Sequence, residues 1–210
     1  MASLGQAKTL GGVGSILVLL SPIPYAGAVL SIVGFIMILI AVKYIADVLG
    51  DQKIFNNMII SVVLAIIGIV VAVVVVLSAV YSLIGLGRYT YTPGTTTLPT
   101  GFSAVIVSII AGLVVIWIFY LVASIFLKRS YDTIATRLNI GMFHTTGLLY
   151  LIGAATAIIF VGFIIVFIAE ILQIVAFFSL PEQMLMGPQP MPGQMGPPPP
   201  TMLTERPNKR

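Results

Sequence analysis

Two things are scarce in this chain, and each scarcity rules something out. Cysteine is absent, which excludes disulfides, thiolate metal sites and cysteine nucleophiles. Charge is thin: Asp, Glu, Lys and Arg make up 8% of the 210 residues. A soluble domain carries about 25%, because its surface faces water. With one histidine and one tryptophan, no histidine-rich metal cluster can be assembled, and the net charge of +4 is too small to suggest a nucleic-acid partner. What the chain has instead is apolar length, with 59% hydrophobic residues. The apolar runs are continuous rather than alternating, so the class they define is a helical membrane protein and not a membrane barrel. Its first partner is the lipid bilayer.

The runs predict an all-α polytopic bundle of six transmembrane helices arranged as three hairpins, over about residues 4–20, 25–49, 54–86, 102–127, 144–160 and 162–180. Lys8, a short apolar core and Ala26-Gly27-Ala28 have the outline of a signal peptide, but the apolar sequence resumes at once and favours a hairpin turning at Ser21-Pro22-Ile23-Pro24. Each proline there lacks an N–H and constrains the residue before it. Gly50 to Lys53 is a short polar loop, and residues 87–101 form a longer one rich in threonine. Lys128-Arg129 is expected to end the fourth helix and to be followed by a separate amphipathic segment in which Tyr131, Ile134 and Leu138 recur at helical spacing. After Pro181 the composition shifts to Pro, Gly, Gln and Met. Residues 182–210 are expected to form a disordered tail, unable to bury enough apolar surface to fold.

The stretch Thr145–Pro181 is too long for one crossing: as one helix it would reach about 54 Å against a hydrocarbon core of about 30 Å. Two patterns cut it near Val161-Gly162. A slide of 135 residues lays Gly162 on Gly27 and Glu182 on Asp47, so the two ends of the chain read as the same kind of hairpin. With six crossings, Lys8, Lys43, Lys53, Lys128, Arg129, Arg137, Arg206, Lys209 and Arg210 share one side, and Arg88 stands on the other. Basic residues stay on the cytoplasmic side, which predicts a multi-pass protein of the cell membrane with both termini cytoplasmic. Re-entrant end hairpins would put the termini on the same side.

The glycine-spaced first hairpin, GGVGSILVLL followed by GAVLSIVGFIMILIAVKYIAD, together with GLLYLIGA and FIAEILQIVAFFSLP, resembles the archaeal membrane-protein family called domain of unknown function 996. The resemblance spans about residues 5–182. It implies an archaeal membrane location and brings no activity, cofactor or catalytic residue.

Within the spans the sharpest candidate is Glu170, the one ionisable residue of the final apolar stretch, with Gln173 one turn away on the same face. Such a residue is a functional candidate by default. The plainer expectation is a neutral, hydrogen-bonded carboxyl, since an apolar site disfavours the charge. Small residues four apart, including Gly11/Ser15, Gly68/Ala72 and Gly153/Ala157, are expected to let helices approach within one subunit, or alternatively between copies in a homo-oligomer. His144 is expected to be interfacial, bonded to backbone or phosphate. Tyr25, Tyr89 and Tyr91 at one level, and Tyr44 and Tyr131 at the other, suggest an aromatic belt, and Trp117 with Tyr120 suggests packing. No catalytic set, metal site or cofactor motif is present, so the chain is not read as an enzyme. A structural or interaction role comes first; the proline-rich tail is expected to be a solubilising segment, or alternatively a binding segment for a cytoplasmic partner. A small transporter or channel in which Glu170 titrates is the alternative. A cavity lined by Glu170, Gln173 and hydroxyls from other helices would favour that alternative.

Overall fold

The computed structural model describes residues 3–86 and 102–182. Within them the chain forms six α-helices: α1 (Leu4–Leu19), α2 (Gly27–Leu49), α3 (Gln52–Leu86), α4 (Phe102–Leu138), α5 (Gly141–Thr156) and α6 (Val161–Phe178). A single 3-10 turn, Ala157–Ile159, joins the last two. Five helices are long and apolar enough to cross a membrane, and α1, with 16 residues, is a shorter apolar helix. The expectations for residues 87–101 and for the tail beyond Glu182 lie outside the described residues.

Local chemistry starts and stops these helices near the expected places. The Ser3 hydroxyl accepts from Gln6 N–H at 3.2 Å and caps α1. Gly50, at φ +65°, ends α2 in the left-handed conformation, and the Asp51 carboxylate accepts from Lys53 N–H at 3.2 Å to open α3. The two hairpin turns at the ends of the chain share an unusual device. Tyr25 has φ 65° and Phe160 has φ 62°, each a non-glycine residue in the left-handed region just before the second arm. They stand 135 residues apart, at the offset seen in the sequence, so the repeat extends to the backbone conformation of the turn.

One expected helix end is corrected. Lys128-Arg129 does not end the fourth helix; α4 runs unbroken through it to Leu138. The reason is tertiary. Beyond Arg129 the helix lies on the first turns of α3, where the buried Ser130 hydroxyl donates to Ile54 O at 2.8 Å, and Tyr131 and Ile134 are fully buried. Lys128 pairs with Asp132 one turn on, and both side chains are part-buried there. The amphipathic spacing was therefore legible, but it belongs to a continuation of α4 and not to a separate segment.

Each hairpin packs arm on arm, and glycine sets the distance. A Cβ on Gly14 would lie 2.6 Å from Gly34 O, so α1 and α2 touch backbone to backbone. Gly153 meets Gly162 O and Val166 in the same manner between α5 and α6. Gly68 faces Phe119 and Gly112 faces Val75 between α3 and α4. The end hairpins meet each other as well: Gly11 and Gly12 of α1 receive the rings of Phe177 and Phe178 of α6. These small residues are thus used inside the chain. The densest packing sits at the charged end of the bundle. There Tyr131, Phe143 and Phe177 stack edge to face at centroid distances of 5.5, 6.5 and 5.3 Å, against Ile38, Ile45, Ile54 and Met58. Tyr131 is 1% exposed, a core residue and not part of an interfacial belt. Beyond Gly68 most of the large apolar side chains described on α3, among them Ile69, Val70, Val73, Val74, Val76, Leu77, Val80 and Ile84, are exposed, as suits a surface solvated by lipid.

Candidate functional site

All six helices contribute to one cavity of about 200 Å³. Val18 comes from α1, Phe35 and Ile38 from α2, Met58 and Ser61 from α3, Tyr120, Ser124 and Tyr131 from α4, Tyr150 from α5, and Val166, Glu170 and Gln173 from α6. The wall is mostly apolar, and the polar groups are few and specific.

Glu170 is half-buried and makes no hydrogen bond or salt bridge among the described residues. No buried side-chain nitrogen or oxygen lacks a partner there, so the carboxyl is reachable from the cavity. Gln173, 4% exposed, is on the expected face but does not pair with Glu170. Its Nε2 donates to Ser15 Oγ at 2.9 Å, and Ser15 donates onward to Gly11 O at 2.7 Å. The amide oxygen of Gln173 is left for the cavity side. Ser61 donates to Ala123 O at 2.8 Å and Ser124 to Leu121 O at 2.7 Å, so both hydroxyl protons are committed to backbone. Trp117 and Tyr120 divide. The indole of Trp117 donates to Ala154 O at 3.0 Å and holds α4 on α5, as packing. Tyr120 lines the cavity.

The basic residues of the charged end do not supply a counter-charge to Glu170. Arg137 binds Asp51 at 3.0 Å, Lys8 lies 3.7 Å from Glu182, Lys128 pairs with Asp132, and Lys43 lies over the Phe55 ring at 6.0 Å. His144 also differs from expectation. Its Nδ1 sits 2.8 Å from Asp132 Oδ1, so its partner is a carboxylate on α4 rather than backbone or phosphate. The i, i+4 spacing of Lys128 and Asp132 was visible in the sequence; the approach of His144 depends on how α5 folds back on α4. Among the described residues no group of three or more His, Cys, Asp or Glu is placed to hold a metal.

Glu170 and Gln173, singled out from the sequence, both line the cavity, where Ser61, Ser124 and Tyr150 join them and Ser15 holds Gln173. For the other four the available signal was weak: each is a polar side chain inside an apolar run. Nothing local indicated that they would converge.

The class defined by this fold is a multi-pass helical membrane protein with a small central cavity bearing one unpaired carboxyl. The chain belongs to the family described as protein of unknown function (DUF996), whose family model matches residues 30–171. It is 34% identical to an uncharacterized protein of Methanocaldococcus jannaschii over 182 residues, covering 86% of this chain and 95% of the relative. No solved structure matches it significantly.

Proposed function

We propose that this protein is a small, non-enzymatic transporter or channel of the cell membrane in which Glu170 is the group that exchanges with a passing cation, the proton included. The observation carrying the reading is the cavity: six helices converge on an apolar chamber with one carboxyl and no basic residue on its wall. A bundle meant only to anchor or to hold partners would gain by filling that space with apolar side chains, since voids lose contact energy. A carboxyl in such a place needs a reason, because burying it is unfavourable without a partner. The arrangement of charge supports an orientation with both termini and the charged end on the cytoplasmic side and Arg88 opposite.

Carbodiimide labelling tests the site directly. Dicyclohexylcarbodiimide partitions into lipid and reacts with protonated carboxyls in apolar surroundings. Glu170 is expected to be modified in the membrane-embedded protein, and Glu170→Gln to abolish labelling while keeping the wild-type thermal midpoint. In proteoliposomes, a proton or cation flux through the wild type should disappear in the same variant. Flux that is unchanged in Glu170→Gln, or an unreactive Glu170, would overturn the reading.

A further inference from the structure

We infer that the central cavity is a binding site for a small organic monocation of the quaternary-ammonium type. The inference rests on the proposal that Glu170 works in a cation-exchanging cavity and names the substrate class.

Charge comes first. The wall carries one carboxyl and no lysine, arginine or histidine, so one positive charge is matched and two are not. Among the described residues no base forms a salt bridge with Glu170; Lys8, Lys128 and Arg137 have their own acidic partners, and Lys43 lies over the Phe55 ring.

Coordination comes second. A hard inorganic cation wants about six oxygens in a closed shell. Here the described oxygens are the Glu170 carboxyl, the Gln173 amide oxygen, two serine hydroxyls tied to backbone carbonyls and the three phenols. They are spread over four helices with apolar side chains between them.

The third argument is what takes the place of oxygen. The aromatic residues Tyr120, Tyr150 and Phe35 come from three helices. Ring faces attract a weakly hydrated cation, most strongly when it is desolvated. A quaternary ammonium has no N–H to satisfy and a surface of CH groups, so it suits an apolar wall with a single carboxyl. Size agrees: about 200 Å³ lies below the roughly 300–1,000 Å³ of a drug-sized pocket, which points to a short-chain ion.

Trp117 is the single tryptophan of the chain and stands one helical turn from Tyr120, so its fluorescence reports on the cavity. The full-length protein in nanodiscs is titrated with tetraethylammonium chloride at constant ionic strength. A saturable change in Trp117 emission is expected, weakened at least tenfold in Glu170→Gln. Tyr150→Phe keeps the ring and should bind within about threefold of wild type, whereas Tyr150→Leu should lose binding. Thermal midpoints of all variants show whether each is folded, and Tyr120→Phe against Tyr120→Leu repeats the comparison if Tyr150→Leu is not. Sodium or potassium competing as well as tetraethylammonium would overturn the organic-cation assignment. So would an absent response in a wild-type protein whose Glu170 still reacts with carbodiimide, and that result would leave the exchange reading standing.

Discussion

At the scale of single residues, hydrogen's size decides more than polarity does. Gly14 and Gly34 stand where α1 and α2 cross, and each would drive a Cβ into the other's carbonyl oxygen. The neighbour is backbone and cannot rotate away. Gly34→Val is therefore expected to destabilise the protein by about 3 kcal/mol, the upper end of overpacking costs, read as a lowered thermal midpoint in detergent. Gly85→Ala is the control, because nothing lies within 4 Å of a Cβ there and alanine favours the helix by up to about 1 kcal/mol. Equal midpoints for the two variants would mean that the first hairpin is not packed glycine on glycine. Gln173 shows the complementary case. Its Nε2 donates to the Ser15 hydroxyl across α1 and α6, so Gln173 is tied to α1 and does not pair with Glu170.

At the scale of elements, the helices differ in length, and the difference has consequences. α3 has 35 residues and α4 has 37, about 52 and 55 Å, while α1 and α5 have 16 each, about 24 Å. Trp117 holds α4 level with Ala154, so the turn of the third hairpin ends about one helical turn further on. From Trp117, α4 continues about 22 Å to Phe102, with Ile106, Val107, Ile110, Leu113 and Val114 exposed on the way. If lipid surrounds those side chains, the hairpin turn is expected to lie below the far membrane surface. The turn itself carries no charge and exposes Ile158, Ile159 and Phe160. Its Phe160 N–H is bonded internally to Ala157 O, as a turn away from water requires. Because the chain has no native cysteine, single cysteines are clean probes. With an impermeant maleimide added outside, cysteine at Gly94 should react quickly, at Ile159 slowly, and at Pro190 only after permeabilisation. Ile159 reacting as fast as Gly94 would show that the end hairpin reaches the outer surface; reaction of Pro190 in sealed cells would invert the orientation.

At the scale of the whole molecule, side chains of all three hairpins line one partly open cavity, and the first and last hairpins pack on each other through Gly11, Gly12, Phe177 and Phe178. Leu180 is 1% exposed, and Glu182 lies near Lys8, so the folded unit extends through residue 182. A chain stopped after Glu182 is expected to insert and unfold like the full-length protein. A chain stopped after Phe178 should lose about 2 kcal/mol or more with the buried Leu180. Matching midpoints for both truncations would show that the packing at the charged end ends earlier than Leu180. The same pair separates anchoring from interaction: a cytoplasmic partner of the proline-rich tail would be lost with residues 183–210, while the cavity would remain.

Class, helix count and hairpin pairing followed from the sequence alone, because in lipid an uncharged run of sufficient length has no stable alternative to a helix. Prolines 22 and 24 and the glycine offset of 135 located the turns for the same local reason. Glu170 was conspicuous for being a charge where charge is disfavoured. Tertiary structure decided the rest. The passage of α4 through Lys128-Arg129, the burial of Tyr131, the diversion of Gln173 to Ser15 and the meeting of His144 with Asp132 all depend on which helix lies opposite. So does the chamber. Its serines and tyrosines are separated by up to about a hundred residues in the chain, and apolar periodicity in a membrane helix does not mark which face turns toward lipid and which toward another helix, since both surroundings are equally apolar.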